Sequence, residues 1–143
     1  MLGFHFKEKM SGTFTRDGVE RAMSFTCRAS AGNLLRHLAD RRAEMDGHVE
    51  MEGFATHQPL SGEMIIDPLL GRHVRYAFEF HGDDGKPYRF EGQKDVELAR
   101  FMETMTVLPG RVLDGGGREV ATALLRFDRR DLPVLLGSFR PTL

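Results

Sequence analysis

Hydrophobic and polar residues alternate most regularly between His73 and Lys94. Val74, Tyr76, Phe78 and Phe80 recur at every second position with His73, Arg75, Ala77 and Glu79 between them. That is the pattern of a strand with one buried and one wet face. Alternation breaks at Gly82-Asp83-Asp84-Gly85, residues that tolerate left-handed backbone or bond locally to it, and resumes at Tyr88 and Phe90 with Arg89 and Glu91 opposite. The segment predicts an antiparallel hairpin ending at Gly92 and Lys94. A hairpin alone is marginal in water, so further strands or a helix must cover its aromatic face.

The same period recurs along the chain. Leu2, Phe4 and Phe6 alternate with Gly3, His5 and Lys7, and the run continues through Met10-Ser11-Gly12-Thr13-Phe14 to a turn at Asp17-Gly18. Glu20 to Arg28 predicts the return strand, with Met23, Phe25 and Cys27 on one face. Ser30 is a candidate cap for a short amphipathic helix carrying Leu34, Leu35 and Leu38. Asp46-Gly47 reads as a turn, after which His48 to Phe54 alternates again, and Pro59 closes the segment. Leu60 to Ile66 reads as a strand interrupted by Pro68 and Gly71.

Val96 to Phe101 allows one helical turn, Met102 to Val112 alternates loosely, and Asp114-Gly115-Gly116-Gly117 marks a turn. Val120 to Phe127 is apolar on both faces, which predicts a central strand. Asp128 is a candidate cap for a last helix with Leu132, Leu135, Leu136 and Phe139 on one stripe. Displacing the chain by 98 residues superposes Gly12, Gly18, Arg28, Leu34 and Leu38 on Gly110, Gly116, Arg126, Leu132 and Leu136, a faint repeat of strand, turn, strand and helix. Leu60-Ser61-Gly62 resembles the start of each unit. About eight strands with short turns predict a mainly β, antiparallel, closed or nearly closed lipocalin-like β-barrel with two short helices, which removes the exposed edges of a flat sheet.

Composition narrows the function classes. At 143 residues the chain fits one domain, 1–143, able to bury a core without staples. A net charge of −1 lacks the basic excess of a nucleic-acid binder. The absence of a long apolar run gives no reason to expect a membrane span. The single Cys27 and a start without signal-peptide features lead to the expectation of a cytoplasmic protein.

No catalytic motif stands out, and no cofactor is called for. His48, Glu50 and Glu52 share a strand face, with His57 or His73 as further candidate ligands for a metal. Neighbours two apart on a strand stand about 7 Å from each other, too far for all three to reach one ion without a bulge, so no metal site is expected. His73 and His81 bracket the central strand and read as surface histidines. Cys27 falls on the buried face and reads as an inert core thiol. Asp83-Asp84-Gly85-Lys86 is too short for a calcium loop. Phe at 11 and Met at 8 suit an adaptable apolar pocket, with Tyr76, Phe78, Phe80, Tyr88, Phe90 and Met51 as its wall, and equally suit a small barrel filled by its own side chains.

Several anchors carry a family resemblance: Phe6-x-Glu8-x-Met10-Ser11-Gly12, Leu60-Ser61-Gly62, Tyr76-x-Phe78-x-Phe80, Asp84-Gly85-Lys86-x-Tyr88-x-x-x-Gly92-x-Lys94, Glu103-Thr104-x-Thr106-Val107, and Leu124-x-Arg126-Phe127 with Asp131-Leu132. Together they resemble a β-rich accessory segment that accompanies the flavin domain in bacterial cholesterol-oxidase-like proteins of the glucose-methanol-choline oxidoreductase family. The resemblance implies a fold and a lipid context. It transfers no catalytic residue, because each anchor is a structural kind of residue, and it brings no flavin domain, because Gly115-Gly116-Gly117 reads as a hairpin loop between two strands rather than a dinucleotide-binding turn. The likeness to lipocalins is architectural only, since the chain has no Trp.

The expectation is therefore a non-catalytic barrel that binds a small apolar, lipid- or sterol-like molecule. The alternatives are an interaction module docking a separately encoded oxidoreductase, and a small isomerase or hydrolase with polar groups in the barrel mouth.

Overall fold

The computed structural model describes residues 3–31, 42–67, 71–127 and 140–142. Within them the chain runs as β1 (Gly3–Arg16), β2 (Val19–Ala31), β3 (Arg42–Met51), β4 (Ala55–Asp67), β5 (His73–His81), β6 (Pro87–Asp95), a 3-10 turn at Leu98–Arg100, the one-turn helix α1 (Phe101–Thr106), β7 (Val107–Asp114), β8 (Glu119–Arg126) and β9 (Arg140–Thr142). Each strand from β1 to β8 pairs antiparallel with the next, and β8 returns to pair with β1, Gly12 opposite Leu125. The first eight strands therefore close an up-and-down barrel. The short β9 adds to the beginning of β1, with His5 opposite Arg140.

Closure follows from the alternation. Met10 and Phe14 of β1, Met23, Phe25, Cys27 and Ala29 of β2, and Val74, Tyr76, Phe78 and Phe80 of β5 are all buried in one continuous core, while the residues between them face outward. Two glycines let neighbouring strands approach where the wall curves. A Cβ on Gly62 would lie 2.0 Å from the Ala77 carbonyl oxygen, and one on Gly47 would lie 2.0 Å from that of Thr26.

The β1–β2, β3–β4, β5–β6 and β7–β8 connections all lie at one end, called here the turn end. Asp17 and Gly18 both have positive φ, 51° and 76°, and join Arg16 to Val19 as a two-residue hairpin of matching twist. The β5–β6 loop closes through Gly82 N to the Lys86 carbonyl at 3.0 Å, and the β7–β8 loop through Asp114 N to the Arg118 carbonyl at 2.8 Å. Asp83 ties two of these loops together. Its carboxylate accepts the Thr56 amide and hydroxyl, each at 2.8 Å, and the Gln58 side chain at 3.0 Å.

Several expectations from the sequence are corrected. Asp46-Gly47 is not a turn: β3 starts at Arg42, and Gly47 lies inside it, opposite Leu60. The true β3–β4 turn is Glu52-Gly53-Phe54, with Phe54 N bonded to the Met51 carbonyl at 2.9 Å. Pro59 does not end a strand. It sits within β4 opposite His48, one residue before β4 starts to pair with β5 at Leu60, so its missing N–H removes no bond to β5 there. Ser30 belongs to β2, opposite Glu44, rather than capping a helix. Phe101–Thr106 forms α1 where loose alternation predicted a strand. β8 is no more central than any other strand of a ring, and its outward Leu124 is 43% exposed. The helix expected after Ser30 lies outside the described residues beyond Ala31, and the one expected from Asp128 to Phe139 lies wholly outside them.

Candidate functional site

The interior is stacked in levels from the turn end upward. At the turn end, Phe54 meets Phe14, Phe80 and Tyr88 at ring-centroid distances of 6.1, 6.3 and 4.7 Å, and the Arg16 guanidinium covers the Phe54 ring at 5.0 Å. The middle level is organised by Phe25, whose ring lies 5.2 Å from Phe78 and 5.9 Å from Phe90. Phe78 and Phe90 are themselves stacked at 4.9 Å. Phe25 is on β2 whereas Phe78 and Phe90 are on β5 and β6, so these contacts cross the barrel. Here the protein's own aromatic side chains fill the interior.

The next level is polar. Glu8 on β1 and Lys94 on β6 point inward at positions where the alternation would place an apolar residue, and they are only 7% and 4% exposed. Lys94 Nζ donates to Glu8 Oε1 at 3.2 Å. The Tyr76 hydroxyl, from β5, donates to the same carboxylate, 2.7 Å from Oε1 and 2.9 Å from Oε2. Lys94 Nζ also stands 5.1 Å from the centre of the Tyr76 ring. In the ring order β1 and β5 are diametrically opposed, so the cluster bridges the full width of the lumen.

Cys27 sits in register with Glu8 across the β1–β2 pair. Burial pushes its thiol far above the ordinary range, and the Glu8 carboxylate adds to that shift. Burial, and then the same carboxylate, holds the Tyr76 hydroxyl protonated well beyond its usual value. Both groups are thus neutral at any physiological pH. The thiol is no nucleophile, and the phenol acts as a hydrogen-bond donor. The ion pair is balanced in charge but not in hydrogen bonds. An ammonium carries three N–H donors, and among the described residues only Glu8 accepts from Lys94.

Beyond this level Ala29 and Ala31 of β2 and Ala43 of β3 are buried beside two methionines, Met45 opposite Ala29 and Met64 opposite Ala43, with Val96 after β6. Phe6 and Ile66 are partly buried beside them. The wall residues expected from the sequence are all buried inside the barrel, but at three levels. Tyr76 belongs to the polar cluster, Phe78 and Phe90 to the middle level, and Phe80, Tyr88 and Met51 to the turn end.

The surface candidates come together only in part. His48 and His57 stack outside the barrel at 4.0 Å with rings 5° from parallel, and His57 Nδ1 lies 3.1 Å from Glu50 Oε1. Parallel stacked imidazoles direct their in-plane lone pairs side by side rather than toward one ion, and the described residues contain no cluster suited to a metal. His73 Nδ1 is engaged by the Gly71 carbonyl at 3.1 Å.

Glu8 and Lys94 were not singled out for their chemistry from sequence. The available signal was a charged residue at the inward phase of two alternating runs, Phe6-x-Glu8-x-Met10 and Phe90-x-Gly92-x-Lys94-x-Val96. Compared with protein-family models, with curated proteins and with solved structures, the chain finds no match.

Proposed function

We propose that this protein is a non-catalytic, lipocalin-like barrel that holds a small apolar molecule inside, above the Glu8–Lys94–Tyr76 cluster and away from the turn end. The observation that carries this function is the buried ion pair itself. Desolvating two charges costs several kcal/mol per ion, and an apolar filling of equal volume is commonly as stable or more so. A barrel serving only as a packed core has no need of such a layer, whereas a binding site commonly sets a few polar groups in an apolar wall.

On this view Phe25, Phe78 and Phe90 form a closed floor, the polar cluster stands on it, and the ligand lies beyond, against the alanines Ala29, Ala31 and Ala43 and the flexible Met45 and Met64 side chains. Tyr76 touches the ligand, while Phe80, Tyr88 and Met51 support the floor from below.

A small isomerase would need Glu8 as a free base. Its carboxylate already accepts the one Tyr76 hydroxyl hydrogen, shared between the two oxygens, and an N–H of Lys94, which favours holding over proton transfer. Docking to a separate oxidoreductase finds little apolar surface: among the described residues the exposed large hydrophobic side chains are Val19 and Leu124, on different strands.

Native mass spectrometry of the purified full chain is the test, followed by titration with the neutral dye Nile red. A co-purified small mass released on denaturation, or dye uptake that raises the melting temperature, is expected. A chain that carries nothing and takes up no dye overturns the proposal.

A further inference from the structure

We infer that the ligand is a neutral apolar molecule bearing one hydrogen-bond-accepting oxygen, such as a ketone, ester or alcohol, and that Lys94 donates to that oxygen. The inference rests on the proposed interior site and adds its chemical class. Lys94 is 4% exposed, points into the barrel, and gives one of its N–H donors to Glu8. Tyr76 offers it the face of a ring at 5.1 Å. A buried ammonium with unspent donors lacks acceptors, and an acceptor on the ligand supplies one.

Charge sets the rest of the specificity. Glu8 already neutralises Lys94 at 3.2 Å, so a carboxylate or phosphate ligand would bring a second, uncompensated negative charge beside Glu8 in a desolvated interior. An ammonium ligand would instead face Lys94. A neutral oxygen gains the hydrogen bond without either penalty. Acceptors from the protein offer little alternative for an amine or amide hydrogen, because the Glu8 carboxylate already accepts from Tyr76 and Lys94.

The test uses the full chain and four probes of equal length: 2-decanone, decane, decanoate and decylammonium, each displacing Nile red. Wild type is expected to bind 2-decanone about tenfold more tightly than decane, the size of one hydrogen bond to a charged group, and to bind decanoate and decylammonium more weakly than 2-decanone. Lys94→Met is expected to abolish the preference for the ketone. Because that variant leaves Glu8 buried without its cation, the double variant E8Q/K94M, in which the remaining amide still accepts from Tyr76, serves if the single one does not fold.

Infrared spectra of 13C-carbonyl 2-decanone bound to wild type provide a readout independent of folding. The carbonyl stretch is expected to move to lower frequency than in hexane. Binding of Nile red and decane with no ketone preference, a preference that survives K94M, an unshifted carbonyl, or tighter binding of decanoate overturns the inference while the interior site stands. Failure of every probe and of the dye overturns the proposed site as well.

Discussion

The two halves of the barrel are built from the same eight strands and filled in opposite ways. Toward the turn end, Phe14, Phe54, Phe80 and Tyr88 pack ring against ring, and four short connections are pinned by their own backbone and by Asp83. Toward the other end the inward positions carry an ion pair, a phenol, a buried thiol, and alanines beside Met45 and Met64. The first half has the composition of a core selected for packing. The second spends desolvation on charges that packing does not require, and the proposed interior site rests on that difference between strands that are otherwise equivalent.

The sharpest way to break this comparison is to remove one charge. Glu8→Leu leaves the Lys94 ammonium buried without a counter-ion and Tyr76 without its acceptor. It is expected to lower unfolding stability by about 3–5 kcal/mol. Lys94→Met should do nearly the same. The double variant E8L/K94M is expected to recover most of the loss, falling short of wild type by the buried Tyr76 hydroxyl it leaves without an acceptor. Urea unfolding of the four proteins completes the cycle. A double variant as unstable as the sum of the singles would mean that the pair holds the barrel together, and the contrast between the halves would vanish.

A second variant asks whether the halves are independent. Phe54→Ala removes the ring that Phe14, Phe80 and Tyr88 surround and is expected to cost about 3 kcal/mol. None of those partners touches Glu8 or Lys94 through a hydrogen bond or ion pair. Combined with E8L/K94M, the effect should therefore add to within about 0.5 kcal/mol, measured by the same urea titrations. Coupling beyond that would show strain passing through the Phe25 level.

The halves also differed in how far they could be read from sequence. The β5–β6 hairpin was legible because a period of two with aromatic inward residues admits one interpretation, and Asp17-Gly18 and Asp114-Gly115-Gly116-Gly117 announced their turns by residue type. Ring closure was legible in kind, from many short strands and few edges. β3 was misplaced because Gly47, which in sequence looks like a turn residue, is required by the close approach of Thr26 from the neighbouring strand, a constraint only the fold reveals. The polar cluster was hidden for a related reason. Lys94 and Glu8 are 86 residues apart and Tyr76 and Glu8 are 68 apart, so nothing local marks them as partners. Glu8 and Lys94 each stand as one polar interruption in an apolar face and Tyr76 as one of that face's aromatics, and the register of eight strands is what makes the three one group.

The smallest effects, and the most separable, come with pH, because two carboxyls in the turn-end loops are shifted down and the thiol of the polar half is shifted up. In the turn-end loops, the bond from Gln58 and those from Thr56 hold the Asp83 carboxyl below its usual range, and the Lys86 amide and Tyr88 hydroxyl do the same for Asp84. A folded-state pKa that is depressed gives stability present above the unfolded value, about pH 4, and lost as pH falls through the folded value. Asp83→Asn should flatten that acid limb and leave the alkaline one unchanged.

In the polar half the sign is reversed. Burial and the Glu8 carboxylate raise the Cys27 thiol, so its contribution is complete below the unfolded thiol's value, about pH 8.5, and declines as pH rises above it. Between about pH 8.5 and 10, before unfolded tyrosines ionise, Cys27→Ala should remove the slope of stability against pH while Asp83→Asn does not. The same burial makes the native thiol unreactive toward iodoacetamide at pH 8.5 until urea unfolds the chain. A native thiol that alkylates as fast as free cysteine, or an alkaline slope untouched by Cys27→Ala, would show that solvent reaches the level of Glu8 and Lys94, and the two charges would then no longer be the desolvated pair that distinguishes this half of the barrel.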